Sequence, residues 1–276
     1  MSDRAAAARR VLLSPTWIVG HLLAVTVVVS FTQFGFWQLR RHDQRVERNA
    51  AIEARLSAPP VPLEAALAEA DAARAAGVEG WIDPLEYRTV RLTGRFDAEA
   101  EVLRRGVVRD GMPGFHVITP LVLDDGSAVM VDRGWVPQEF DSVPVAAAAP
   151  AAGEVEVEGW AFPPDVPPTG ALASLAPRDP PSGRLVQVAY VDVERLAGQV
   201  PHPLLSVKVV LDAPARAPGD ASLPLPPRAP EVAFGPHLGY ALQWFAFVVI
   251  TLVGYVALLR RRAREAADSM VSSSER

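Results

Sequence analysis

The chain has 276 residues, 26 prolines and no cysteine, which removes a disulfide framework, a CxxC redox pair, a CxxCH haem attachment and a thiolate site for Cu(I). A formal net charge of −5 leaves no basic footprint for nucleic acid. The mean hydropathy of +0.15 is high for a globular chain, so the apolar excess must be concentrated somewhere.

It is concentrated in two segments. From Trp17 to Phe36 there is no Asp, Glu, Lys or Arg, and a helix of that length spans about 30 Å, the thickness of a bilayer core. Trp17 and Trp37 flank it as an aromatic belt would. Arg4, Arg9 and Arg10 precede it, as in a signal peptide, but the apolar run is long and ends in bulky Phe34, Phe36 and Trp37. We therefore expect an uncleaved anchor at 17–37, with 1–16 cytoplasmic. From Asp43 to Leu56 and from Leu63 to Ala76 the pattern is helical.

After Asp83 the period changes to two. Tyr87–Phe96, Glu101–Val108, Phe115–Leu123, Ser127–Val136, Glu154–Phe162, Leu185–Val193 and Leu204–Leu211 read as strands, mostly antiparallel because their connections are short. Asp124, Asp125 and Gly126 read as a hairpin turn rather than a catalytic carboxylate pair. Pro163–Pro181 reads as an irregular loop, and 214–230 as a semi-rigid, proline-rich spacer. A second apolar span, 237–259, is followed at once by Arg260, Arg261, Arg262 and Arg264. Positive charge on one side only places 260–276 in the cytoplasm and the region 38–236 outside it. The polar tail after Arg264 is expected to lack order. The expected fold class is an α+β membrane protein: two terminal transmembrane helices flanking a mostly antiparallel, β-rich extracytoplasmic domain with one or two helices.

Serine-nucleophile, zinc-protease, P-loop and dinucleotide signatures are missing, and no two of His21, His42, His116, His202 and His237 are spaced for a metal. Four strings are unusual: Gly35-Phe36-Trp37-Gln38, Pro113-Gly114-Phe115-His116-Val117-Ile118-Thr119-Pro120-Leu121, Val131-Asp132-Arg133-Gly134-Trp135-Val136-Pro137, and His237-Leu238-Gly239-Tyr240-Ala241-Leu242-Gln243-Trp244-Phe245. In this order, between two terminal spans, they resemble the surfeit locus protein one family, also called Shy1-like proteins. That family's patterns look like G-x-W-Q, P-G-x-H-V-x-T-P-L, V-N-R-G-W-V-P and H-L-x-Y-A-x-T-W-F. The chain departs at Asp132, where the family has Asn, and at Gln243, where it has Thr. The stretch after Pro163 matches loosely.

The resemblance implies a bacterial plasma-membrane factor for assembly of haem–copper cytochrome c oxidase, not itself an enzyme. Its partners would be the oxidase membrane subunit, other assembly factors and the lipid bilayer, and its cargo haem a, held transiently. It implies His237 as the haem ligand. Tyr240 and Trp244, at i+3 and i+7, share the face of His237 and suit a porphyrin contact. They equally suit packing against the first span, and His237 equally suits the headgroup layer. Trp37 and Gln38 also suit an interface. Arg40 and Arg41 lie just outside the first span, where the positive-inside rule disfavours them. They are solvated charges or, alternatively, the partners of the haem propionates. His21 is expected to be a satisfied residue near the cytoplasmic end, His116 a hydrogen-bonded structural histidine, and Arg133 a solvated or paired surface charge. The rival readings are an extracytoplasmic scaffold that binds oxidase subunits without haem, and a membrane-anchored hydrolase. Reporter fusions after Arg48 and after Arg264 should report opposite compartments; two cytoplasmic signals would refute this topology.

Overall fold

The computed structural model describes residues 9–77, 83–212, 222–230, 232–233 and 235–274. The chain divides into two compact units, residues 1–49 with 233–276, and residues 50–232.

The first unit is built on helix α1, Pro15–Leu56, and helix α4, His237–Ser274. Proline at the first helical position gives up an N–H that has no intrahelical partner there, and the Ile18 N–H bonds back to the Ser14 carbonyl at 2.9 Å. The anchor and the helix expected at 43–56 are one element, because the intervening Arg40 to Arg45 contains no glycine or proline to break it. Pro59 and Pro60 follow its end. Both helices contain stretches long and apolar enough to cross a membrane, with 6% and 0% of those stretches buried within the protein. Helix α4 also continues past the arginines. The tail expected to lack order is helical to Ser274, in a sequence rich in Ala, Arg and Glu where Arg261 and Arg262 pair with Glu265 at 2.8 and 2.9 Å.

The second unit is a mixed sheet with short helices. Its elements are β1 (Val61–Pro62), α2 (Leu63–Ala75), β2 (Arg88–Phe96), β3 (Val102–Arg109), β4 (Met112–Leu123), β5 (Ala128–Pro137), β6 (Val155–Phe162), β7 (Gln187–Val188), α3 (Val193–Leu196) and β8 (Leu204–Leu211). The eight-stranded order is β1-β2-β6-β8-β5-β4-β3-β7, and β2 also pairs with β4. Strands β2, β6, β8, β5 and β4 therefore close into a ring: residues 88–94 of β2 pair with β6, and residues 94–96 pair with 121–123 of β4. The pairings are antiparallel except β1–β2, β3–β7 and β5–β8. The last is parallel because β5 and β8 are joined by a long excursion rather than a hairpin.

Period-two alternation fills the ring. Val90 and Leu92, Leu121 and Leu123, Val129 and Val131, Ala161, Val207 and Val209 form one buried cluster, to which α2 adds Leu63, Ala66 and Ala70. A ring of five strands has an interior only wide enough for its own side chains, so it is a packed core. A second cluster lies under the loop region, around Val102, Ile118, Met130, Val188 and Leu196. The hairpin turn at Asp124–Gly126 forms as expected, with Asp125 accepting from the Ser127 N–H at 2.8 Å. The strand expected at 185–193 shrinks to β7. Asp192 accepts from the Arg195 N–H at 3.1 Å and starts α3 instead, so Val191 and Val193 reach the core without a ladder. The two-residue β1 was too short to announce itself. The spacer at 214–230 is described only from residue 222, and its earlier part lies outside the described residues.

Arg133 is not a surface charge. It is buried beside Glu101, which is 1% exposed, at 3.2 Å. The Glu101 carboxylate also accepts from the Thr119 hydroxyl at 2.8 Å and the Val145 N–H at 2.8 Å, while Arg133 donates to the Ala148 carbonyl and stacks over Phe96. Burial lowers the Arg133 pKa and Glu101 counteracts the shift. Glu101→Ala should cost about 3–5 kcal/mol of unfolding free energy, since it strands a buried cation. Glu101→Gln, which keeps an acceptor, should cost less. Urea titrations of the full chain in detergent, followed by circular dichroism, test this; unchanged midpoints would show that the pair does not hold the loop.

Candidate functional site

Within the first unit, α1 and α4 form an antiparallel hairpin whose register is read from ring contacts. His21 meets Tyr255, Phe31 meets Trp244 and Phe247, Phe34 meets Trp244, and Phe36 meets Phe245, with ring centroids 4.9–5.9 Å apart. The Phe245 ring also lies over Gly35. Each aromatic pair of this kind contributes about 0.5–1.5 kcal/mol.

The same register brings His237, at the start of α4, to Gln38 on α1. The His237 Nδ1 lies 2.9 Å from the Gln38 Oε1. An amide oxygen can only accept, so Nδ1 donates, and in the neutral imidazole Nε2 is then the nitrogen with the lone pair. Among the described residues Nε2 has no hydrogen-bond partner. A side chain on Gly235 (φ +70°) would come within 3.5 Å of that nitrogen, and glycine leaves the flank open. A histidine oriented through one nitrogen with the other free is what an axial metal ligand requires. The residues therefore fit a single imidazole ligand. Among the described residues no group of three or more His, Asp or Glu gathers for a metal ion.

The remaining expected site residues fall around this pair in different ways. Trp244 packs among Phe31, Phe34 and Phe247, so its ring forms part of the helix–helix contact. Tyr240 is 49% exposed and open to the surroundings of the hairpin, as is Trp37 at 49%. Arg40 and Arg41 are both exposed. Arg41 follows Gln38 by three residues and shares its face, whereas Arg40, two residues on, lies about 200° around the helix. Arg41 makes one long bond, 3.3 Å, to the Gln44 Oε1. His21 is satisfied, as expected: its Nε2 donates to the Leu12 carbonyl at 2.9 Å and its Nδ1 meets the Tyr255 hydroxyl. It lies 17 residues from Gln38 along α1, about 25 Å at helical rise.

The two motifs of the sheet unit meet as neighbours, β4 on β5, with His116 opposite Trp135 and Ile118 opposite Asp132. The His116 Nδ1 donates to Asp132 at 2.6 Å, the structural hydrogen bond expected of it. Gly134 (φ +125°) leaves no room for a Cβ, which would sit 2.1 Å from the Leu225 carbonyl oxygen, because Leu225 and Trp135 exchange backbone bonds of 2.8 Å there. Sequence reasoning missed Glu101, Thr119 and Arg104. Their importance comes from partners brought together by sheet pairing, and no local string carries it.

The model of the SURF1 family matches residues 25–249. An uncharacterized SURF1-like protein of Mycobacterium tuberculosis is 30% identical over 273 residues, covering 94% of this chain and 90% of its own. A SURF1-like protein of Monosiga brevicollis is 30% identical over 251 residues, covering 87% of each. The cytochrome oxidase assembly protein SHY1 of Saccharomyces cerevisiae is 32% identical over 123 residues, 44% of this chain and 29% of that one.

The hairpin register can be checked directly because the chain has no cysteine. A Phe34→Cys, Trp244→Cys pair should cross-link on mild oxidation, and a Phe34→Cys, Tyr255→Cys pair should not. The reverse outcome would refute the register that joins His237 to Gln38.

Proposed function

The chain belongs to the SURF1 family, and from that membership we propose that it is an assembly factor for a haem–copper cytochrome c oxidase that holds haem a on its way to the oxidase membrane subunit. The observation that supports the haem step is the His237 imidazole, fixed through Nδ1 by Gln38 with Nε2 open. Haem a is cargo here: its iron supplies an open axial position and the chain supplies one nitrogen. A single protein ligand suits transient holding, since one bond is easier to give up than two.

In this reading the protein lies in the plasma membrane of a bacterium, with both termini cytoplasmic and the sheet unit outside. Arg41, on the face of Gln38, meets a haem propionate with a bidentate guanidinium that lysine cannot copy. Trp37 and Tyr240, both half-exposed, offer apolar surface to the porphyrin edge, and Arg40 is a solvated charge. His21, about 25 Å away along α1, cannot ligate the same iron. Any second ligand to that iron would have to come from water, a partner or another copy. The chain works by holding and orienting, not by catalysis; no nucleophile–base string is present in the sequence.

The test is co-expression with haem a synthesis, followed by an absorption spectrum of the purified full-length protein. His237→Ala should lose the haem signal and His21→Ala should keep it. Gln38→Leu should weaken binding about 10-fold, the usual size of losing the group that orients a metal-bound histidine. Arg41→Lys should lower occupancy without altering topology. Equal loss in the two histidine variants would break the geometric argument. Undiminished assembly of the oxidase by a haem-free His237→Ala protein would favour a scaffold that never touches haem.

A further inference from the structure

The outer face of the sheet unit carries a groove of about 350 Å³ that the haem-carrying reading does not use. It is lined by strands β3, β4, β5, β6 and β8 and by the segment around Pro227. Its lining includes apolar groups, Trp160, Phe162, Val107 and Val210, with Tyr87 set edge-on to Phe162 at 5.1 Å between ring centroids. The same lining carries cations. Arg104 lies on β3 opposite His116, and Arg109 and Arg228 follow along the groove.

Among the described residues, the charges lining the groove do not cancel. The acidic group facing it, Asp132, is already committed: one oxygen takes the His116 Nδ1–H at 2.6 Å and the other the Gly134 N–H at 3.0 Å. Arg228 pairs with Asp110 at 2.6 Å on the exposed side. Arg109 donates to the Pro226 carbonyl at 2.7 Å, a neutral acceptor. Burial and the neighbouring Arg228 lower its pKa, and Asp110 offsets part of that shift. Arg104 has no hydrogen bond and no ion pair among the described residues, and its Nε is buried without a partner. A buried guanidinium donor with nothing to donate to is costly, and folded proteins leave very few of them. The five donors of arginine match the two oxygens of a carboxylate or phosphate.

We propose that this groove binds a small amphiphilic oxyanion, a carboxylate or phosphate borne on a flat apolar body, with Arg104 as its principal partner. Arg109 adds charge, and Trp160, Tyr87 and Phe162 cover the body. The volume is at the small end of ligand sites, which suits one ring system or a short acyl group and is too small for a porphyrin. The same chemistry is offered by a free solute and by an anionic lipid headgroup. This site is independent of His237, so it stands or falls apart from the haem reading.

The experiment is calorimetric titration of the full-length protein in neutral detergent with 2-naphthoate and with its uncharged analogue 2-naphthamide. Naphthoate should bind saturably and at least tenfold more tightly than the amide. Arg104→Gln should abolish that preference, and Arg104→Lys should restore only part of it. Val108→Trp, at the exposed rim of the groove, should block binding without disturbing any buried group, so the test survives if Arg104→Gln folds poorly. Competition by short-chain phosphatidylglycerol but not phosphatidylcholine would identify the occupant as a lipid headgroup; displacement by neither, with naphthoate still bound, would identify a free solute. Equal binding of acid and amide, or unchanged binding in Arg104→Gln and Val108→Trp, would overturn the proposal.

Discussion

Closure of the sheet through β2 is the constraint on which the second unit depends. One strand pairs with β6 along most of its length and with β4 at its end. This removes the free edge that the central strands would otherwise present to other chains. It also fixes which residues face inward, because a slip of one position in any strand would turn its valines and leucines outward. The interior that results is filled by those residues and stoppered by α2. The interior is therefore a packed core.

The outer faces are organised by charge. The long excursion between β5 and β8 has to be anchored, and part of it is anchored by an ion pair sunk into the sheet. Glu101 and Arg133 reach residues 145 and 148 through backbone hydrogen bonds, so a loop with little regular structure is tied to β3 and β5. A buried pair of this kind contributes little over an apolar replacement, but losing one member is expensive. Its value lies in position: it specifies where the loop sits. A few residues away, on β3, Arg104 has no such partner among the described residues. Arg133 on β5 is compensated by Glu101, whereas Arg104 on β3 is not, so two cations on different strands of one sheet stand in opposite electrostatic situations.

The hairpin follows a different logic. Its apolar stretches are almost entirely unburied within the protein, and the pair is held by interlocking rings and a few polar contacts. Those contacts sit at its two ends. His21 with Leu12 and Tyr255 closes one end, and His237 with Gln38 the other. The first histidine uses both nitrogens within the protein. The second uses one, which is the physical difference between a structural and a ligand-ready imidazole.

Much of the architecture is local information. Apolar length, arginine placement and the change of period from 3.6 to two marked both long helices and six of the longer strands, because each depends on neighbours in the chain. The residues also determined that His237 opens a helix and that Tyr240 and Trp244 share its face. The sequence left open which of those side chains pack and which stay available. Trp244 became part of the helix contact because the register puts two phenylalanines against it, and Arg41 was separated from Arg40 only once Gln38 had a partner on α4. Ring closure, the parallel pairing of β5 with β8, the burial of Arg133 and the isolation of Arg104 all depend on segments far apart in the chain. Each is set by a hydrogen bond, or the lack of one, between residues whose meeting is decided by the tertiary fold, and so no pattern along the chain could announce it.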